Sequence, residues 1–391
     1  MTSPVLLEKD SATLNQRAVD YIYGVDLIRF ICALSVACFH LTWKSANQQW
    51  GLPFGWVGVE VFFVISGLVI ANSAWGSTAP RFVVSRFLRI YPAAWCALPV
   101  TCAFLLLAPA QAYVHHGIGA GWSLRSFIGS ITLVGPGHLA TAYWTLPIEI
   151  SFYAVVTLLL LMRRFNNVQA WAVVFILWSV PYIAFLGMDP RAWSHPGLLN
   201  FGYSIRNATL VRHGFYFGLG MLLWAYRQGR LTALGISAFV FALAEAWIEI
   251  ADRAGDVQNS LRHPVFFGIP VTSQWLSVAS YVAFLVAVAG LFLAFAVNAR
   301  FPVHAGLRRA VRLIGLTTYP FYLLHESVGG CMLEFAERLG VAPGPALLLA
   351  LCSIAALSVA IAAFAEPALR SLLRRSVPLL SPQPRPLAVC D

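Results

Sequence analysis

The sequence predicts an all-α, polytopic integral membrane protein of about ten transmembrane helices, on three observations. Apolar residues make up 59% of the 391 and charged residues 11%, with a mean hydropathy of +0.73, a balance that excludes a soluble globular domain. Apolar runs long enough to cross a bilayer recur along the chain, and no hydrophilic block between them is long enough for a separate soluble domain. Most of the 26 Lys and Arg residues fall on alternate connections, which sets both termini on the cytoplasmic side under the positive-inside rule. The formal net charge of +10 is thereby explained without a nucleic-acid partner.

Taken in order, residues 1–20 are polar and mixed in charge and read as a cytoplasmic N-terminal tail. The first apolar run follows at about 23–42; no small-residue cleavage pattern follows it, so it reads as a retained span. Further runs lie at about 56–75, 90–109, 142–162, 170–187, 209–226, 231–250, 274–297, 313–335 and 345–365. Together they make one transmembrane domain over 21–369. Residues 370–391, basic and then Pro-rich, read as a cytoplasmic tail without fixed structure. Cys390 lies in that tail and the other cysteines lie in apolar runs, with no CxxC or Cys/His spacing, so inert thiols are expected and no disulfide framework. His115 and His116 are adjacent in a Gly-rich connection and lack a third ligand; no metal is expected.

Charged residues inside the apolar runs carry the functional signal. Arg29 and His40 are eleven residues apart, which leaves them roughly 20° apart around a helix and about 16 Å apart along it, with Asp26 within roughly 40° of the same line. Such a stripe faces protein or a water-filled cavity. Glu60 in GVEVFFVISG, Glu149 in YWTLPIEISFY with Tyr153 one turn on, and His325 with Glu326 in YPFYLLHES place ionisable groups in three further runs. A charge at the centre of a span costs about 2.5–3.5 kcal/mol, and one shared internal site explains these groups better than several unrelated pairs. Arg86 and Arg89 in SRFLRIYP share a face of a short helix that Pro92 should end, at the cytoplasmic mouth; two adjacent guanidiniums suit a phosphate-bearing polyanion. The outer connections 187–209 and 251–273 mix aromatics with Arg191, Arg206, Asp252, Arg253 and Asp256, a surface that suits a sugar and equally an ordinary extracytoplasmic rim. Glu245 and Glu249 read as rim residues.

Seven motifs in order and in register, VDLIRFICALSVACFHL, GWVGVEVFFVISGLVI, SRFLRIYPAAW, YWTLPIEISFY, HGFYFGLGMLLW, TTYPFYLLHESV and AEPALRSLLRR, resemble the acyltransferase 3 family, the membrane O-acyltransferases that modify bacterial cell-surface glycans and some secreted small molecules. The resemblance covers nearly the whole chain. It implies an acyl-CoA donor on the cytoplasmic side, acetyl-CoA in the usual case, a glycan, glycolipid or small-molecule hydroxyl on the other side, and a place in the bacterial inner membrane. It puts His40 on the family's essential histidine, Arg29 on its first-span partner, Arg86 and Arg89 on its arginine pair with Tyr91 beside them, and Glu149 on its fourth-span acid. Tyr319, His325 and Glu366 fall on recurrent family positions, and Asp26, Glu60, Ser66 and Tyr153 complete the candidate set. Glu60 stands where Asp is common, and Pro147 replaces a small or aliphatic residue ahead of Glu149. The fused esterase-like domain of some members has no counterpart here, so the stand-alone form is expected.

On this reading Arg86 and Arg89 hold the phosphates of CoA while its arm threads inward. His40 either takes the proton of the attacking hydroxyl or forms an acyl-histidine. Arg29 stabilises the oxyanion or holds the CoA arm, and Glu149 orients the imidazole or the acceptor. The rival is a secondary transporter of a sugar or small molecule; no internal repeat and no matched pair of Gly/Pro-broken spans supports it.

Overall fold

A computed structural model describes residues 21–43, 51–108, 123–134, 137–188, 208–261, 265–266, 268–298 and 304–376. The expected tails 1–20 and 377–391, the pair His115 and His116, and Arg191 and Arg206 lie outside the described residues.

Helix α1 (Tyr23–Thr42) is followed by a 3-10 turn (Gly55–Val57) that runs directly into α2 (Gly58–Ala74). Helix α3 (Ala79–Leu107) comes next, then the short α4 (Leu124–Thr132), capped by the Ser123 hydroxyl. A second 3-10 turn (Thr141–Thr145) leads into α5 (Leu146–Leu161), with Pro147 in its first turn, where a missing N–H costs nothing. Then follow α6 (Val168–Met188), α7 (Gly214–Arg227) and α8 (Ala233–Ser260). A two-residue hairpin of β1 (Val265–Phe266) and β2 (Ile269–Pro270) is the β structure among the described residues. The chain continues through α9 (Ser273–Val297), α10 (Ala305–Leu324), α11 (Ser327–Arg338), α12 (Pro343–Ala360), a π turn (Ile361–Ala365) and α13 (Glu366–Ser376).

Among the described residues, eight stretches are long and apolar enough to cross a membrane: α1, α2 with its leading turn, α3, α5 with its leading turn, α6, α8, α9 and the stretch Pro343–Ser376. Large apolar side chains on these helices face outward, among them Leu106, Leu158, Trp178, Val286 and Leu348, as a lipid-facing surface requires. The two remaining apolar runs do different work. The run at 209–226 becomes α7, 14 residues long and so about 21 Å; it is buried from Gly214 to Ala225 and forms the centre of the bundle. The run at 313–335 is broken at His325 and Glu326, which end α10 and begin α11.

Three local expectations are corrected. Arg86 and Arg89 do not sit on a short helix ended by Pro92. They lie on α3, a 29-residue helix that continues through Pro92 and Pro99, because inside a bundle neighbouring groups compensate the hydrogen bonds that proline removes. Residues 370–376, expected in the tail, belong to α13, where Arg370 pairs with Glu366 one turn back. Glu245 and Glu249 are not rim residues: both are buried. Arg212 donates to Glu249 Oε1 from Nε at 2.8 Å and lies 2.7 Å away through Nη2, and the Tyr216 hydroxyl donates to Oε2 at 2.9 Å. This pair ties α8 to the start of α7.

Helices α2 and α7 meet backbone to backbone through two glycines. A Cβ on Gly67 would lie 2.1 Å from the Phe217 carbonyl oxygen, and one on Gly220 would lie 1.9 Å from that of Val64. Small residues permit such an approach in membranes, where packing and not hydrophobicity drives association. Gly220→Ala is therefore expected to force the helices apart and destabilise the bundle by about 1–3 kcal/mol, read as a lower melting temperature of the purified protein in detergent.

Candidate active site

Two clusters of polar residues lie at opposite ends of α1. At its N-terminal end, Arg29 joins Arg86 and Arg89 of α3, Ser66 of α2, Glu149 and Tyr153 of α5 and Tyr319 of α10 around a cavity of about 40 Å³. Glu149 organises its wall: the Ser66 hydroxyl donates to Oε1 at 3.1 Å, and the Tyr153 hydroxyl donates to the same oxygen. The spacing of Glu149 and Tyr153, one turn apart on α5, makes that second bond possible. Arg29 has Arg89, Asp26 and Glu149 as its charged neighbours. Two of the buried donors here, Arg29 Nε and Arg86 Nε, and the Tyr319 hydroxyl have no hydrogen-bond partner among the described residues. Guanidinium N–H groups left unbonded around a cavity are able to donate to anionic or carbonyl oxygens.

A second cavity, of about 60 Å³, lies beside the first and shares Arg29, Ser66, Glu149 and Tyr319 with it. Its remaining lining is more apolar: Val59, Phe62, Phe63, Leu146, Thr145, Thr318 and Tyr322. A charged cavity thus adjoins a chamber lined mainly by aromatic and aliphatic side chains.

At the other end of α1 the His40 ring lies 5.2 Å from that of His325 and edge-on to Phe39 and Trp43. A side-chain donor atom of His40, of His325 and of Glu326 all lie within 4.8 Å of one another. His325 is buried, and its Nδ1 is 2.5 Å from the Tyr322 carbonyl oxygen. A carbonyl only accepts, so Nδ1 carries the proton and Nε2 presents a lone pair to the cluster. The break between α10 and α11 produces this arrangement, since it turns two consecutive residues, His325 and Glu326, toward His40.

A third cluster lies next to the second. Glu60 in the first turn of α2 is fully buried and 3.5 Å from Arg253 Nη1 of α8. The Arg253 guanidinium sits over the rings of Trp56, at 5.4 Å, and Trp144, at 5.2 Å. The rings of Tyr322 and Phe62, edge to face, separate this cluster from the second.

Residues 22–365 match a family model described as an acyltransferase domain. The chain belongs to the acyltransferase 3 family. Among its relatives, a protein named as an O-acetyltransferase in Staphylococcus aureus (strain COL) is 25% identical over 350 residues, 82% of this chain and 53% of the relative. The chain thus spans about half the length of that relative. A protein named as a membrane-bound transacylase, BcsY of Komagataeibacter xylinus, is 26% identical over 408 residues, 89% of this chain and 92% of the relative. One named as a peptidoglycan O-acetyltransferase, YrhL of Bacillus subtilis (strain 168), is 28% identical over 152 residues, 34% of this chain and 23% of the relative. No solved structure matches the chain.

With the family in hand, the candidates sort by position. Arg29, Arg86, Arg89, Ser66, Glu149, Tyr153 and Tyr319 share the arginine cavity. His40 and His325 share the opposite cluster. Glu149 bonds Ser66 and Tyr153; a carboxylate in reach of His40 is that of Glu326. Its adjacency to His325 was the available signal, and the helix break that makes adjacency useful was not visible. Asp26 accepts from the Tyr21 hydroxyl and packs on Gly315, where a Cβ would come within 2.3 Å of its Cγ; it fixes α1 against α10. The Tyr91 ring stacks on Phe87 and its hydroxyl donates to the Thr132 carbonyl at 2.9 Å, which ties α4 to α3. A residue two positions from Arg89 on a helix points about 200° away from it.

Proposed function

We propose that the chain is an O-acyltransferase of the bacterial inner membrane, moving an acyl group, acetyl in the simplest case, from cytoplasmic acyl-CoA to a hydroxyl of an extracytoplasmic glycan, glycolipid or related small molecule. The observation that carries this reading is the pair of clusters on α1. A cavity with unbonded guanidinium N–H groups and an apolar chamber beside it suits a phosphate-bearing nucleotide with a flexible arm, and an imidazole beside a second imidazole and a carboxylate lies at the other end of the same helix. The separation of Arg29 from His40, about 16 Å along the helix, favours Arg29 as a contact for the CoA arm and not for an oxyanion at His40.

In the reaction, His40 acts as general base. The acceptor oxygen bonds to the acyl carbon as its proton passes to the imidazole; the C–S bond breaks, and the departing thiolate of CoA takes that proton. An alcohol ionises far above neutral pH, so a base that is neutral at physiological pH is what this step requires. His325 and Glu326 orient His40 and stabilise the imidazolium that forms transiently. The relatives named as O-acetyltransferases and transacylase support the reaction class.

The test is release of CoA from radiolabelled acetyl-CoA by the purified protein in the presence of a cell-surface glycan acceptor, with propionyl-CoA and succinyl-CoA beside it to read the acyl group. Because His40, His325 and Glu326 are also the residue types of a metal site, the same assay after exhaustive EDTA treatment is informative. Turnover is expected to survive EDTA unchanged; loss restored by Zn²⁺ would convert the cluster into a metal centre.

A further inference from the structure

Resting on that reading, the chamber that receives the thioester ends short of the histidine that must act on it. Tyr322 lines the chamber, and its ring also lies 5.3 Å from that of His325, which in turn faces His40. Neither His40 nor His325 lines the chamber. Tyr322 thus stands between the chamber it lines and the ring of His325. Its hydroxyl is held from the opposite side by the Thr145 hydroxyl, 3.3 Å away on the turn that begins α5, and Phe62 of α2 packs edge-on against its ring.

We propose that Tyr322 and Thr145 form a partition that keeps acyl-CoA apart from His40 until both substrates are in place. Three features support it. A hydroxyl pair at 3.3 Å is long for an O–H···O bond, whose usual distance is about 2.7–2.8 Å, so the latch is weak and opens readily. The two hydroxyls belong to different elements, α10 and the 3-10 turn before α5, so a small shift of either separates them. Finally, Tyr322 lies within electrostatic reach of Glu326 on the histidine side and of Glu60 and Arg253 in the neighbouring cluster, so a ligand that changes either cluster bears on the same hydroxyl.

The purpose of such a partition is to suppress hydrolysis. A thioester beside an activating imidazole and outer water reacts with the water: water oxygen bonds to the acyl carbon, the C–S bond breaks, and the proton that His40 receives from water passes to the CoA thiolate, leaving a carboxylic acid and free CoA. Excluding water until the acceptor arrives prevents that loss.

The experiment measures free CoA released from acetyl-CoA by the purified full chain with no acceptor present, with a thiol reagent. Thr145→Val and Tyr322→Phe each remove the latch while keeping side-chain shape. Each is expected to raise acceptor-free hydrolysis about three- to tenfold, the range that loss of one neutral hydrogen bond allows. Thr145→Ser, which keeps the hydroxyl, should return it to the low wild-type rate, and adding His40→Ala to either variant should abolish the increase. Unchanged hydrolysis in both latch variants, with acetyl-CoA still bound, would overturn the partition and leave the acyl-transfer reading intact. Turnover of the wild-type protein that persists in His40→Ala would instead overturn the reading on which the partition rests.

Discussion

His40→Ala is expected to lower the rate of acyl transfer by about 10²- to 10⁴-fold, the range typical for a lost general base, while leaving the affinity for acyl-CoA within about twofold. The separation follows from position. The donor contacts are assigned to Arg29, Arg86 and Arg89 around a cavity that His40 does not line, so the imidazole acts on the rate and not on binding. Single-turnover transfer from radiolabelled acetyl-CoA, with donor affinity measured separately by calorimetry, reads both quantities. A variant that kept its rate would remove His40 from the chemistry. One that lost donor affinity with the rate intact would move His40 to the binding site.

The second large effect is expected from Arg86→Gln combined with Arg89→Gln. A charge-assisted hydrogen bond contributes about 1.5–3 kcal/mol, so each substitution should raise the KM for acyl-CoA by about ten- to a hundredfold, with kcat at saturating donor little changed. The wild-type KM should also rise with ionic strength, because such contacts near the mouth of a cavity are screened, and the double variant should lose that dependence. Equal KM values in wild type and double variant would show that the pair only orients the chain in the membrane.

Much of this arrangement was legible in the sequence. The stripe of Asp26, Arg29 and His40 follows from helical periodicity alone, and α1 displays it. The pairing of Glu149 with Tyr153 follows from their spacing. What periodicity does not reach is where a helix stops being regular. The break at His325 and Glu326 has no Gly or Pro at the two residues themselves; Pro320 lies one turn earlier, and nothing in the hydropathy of the run distinguishes it from a continuous span. The same limit hid α7. Its residues are as apolar as a membrane span, but it is buried among α2, α6 and α8, and burial by protein and burial by lipid leave the same composition. Long-range pairs such as Arg212 with Glu249, Glu60 with Arg253 and Thr145 with Tyr322 join residues far apart in the chain, which no local pattern links.

The central claim is that an acyl group enters from the face bearing Arg86 and Arg89 and leaves from the face near His40. Proteoliposomes carrying the protein in one orientation test it directly. Radiolabelled acetyl-CoA is supplied to the Arg86 and Arg89 face, and the location of label and of free CoA is then determined. CoA is expected to remain on the side of supply while acetyl label, as acceptor ester or acetate, accumulates on the opposite side, and to do so only with His40 intact. Label and CoA that both remain on the side of supply, or turnover that is equal from either face, would contradict transfer across the membrane.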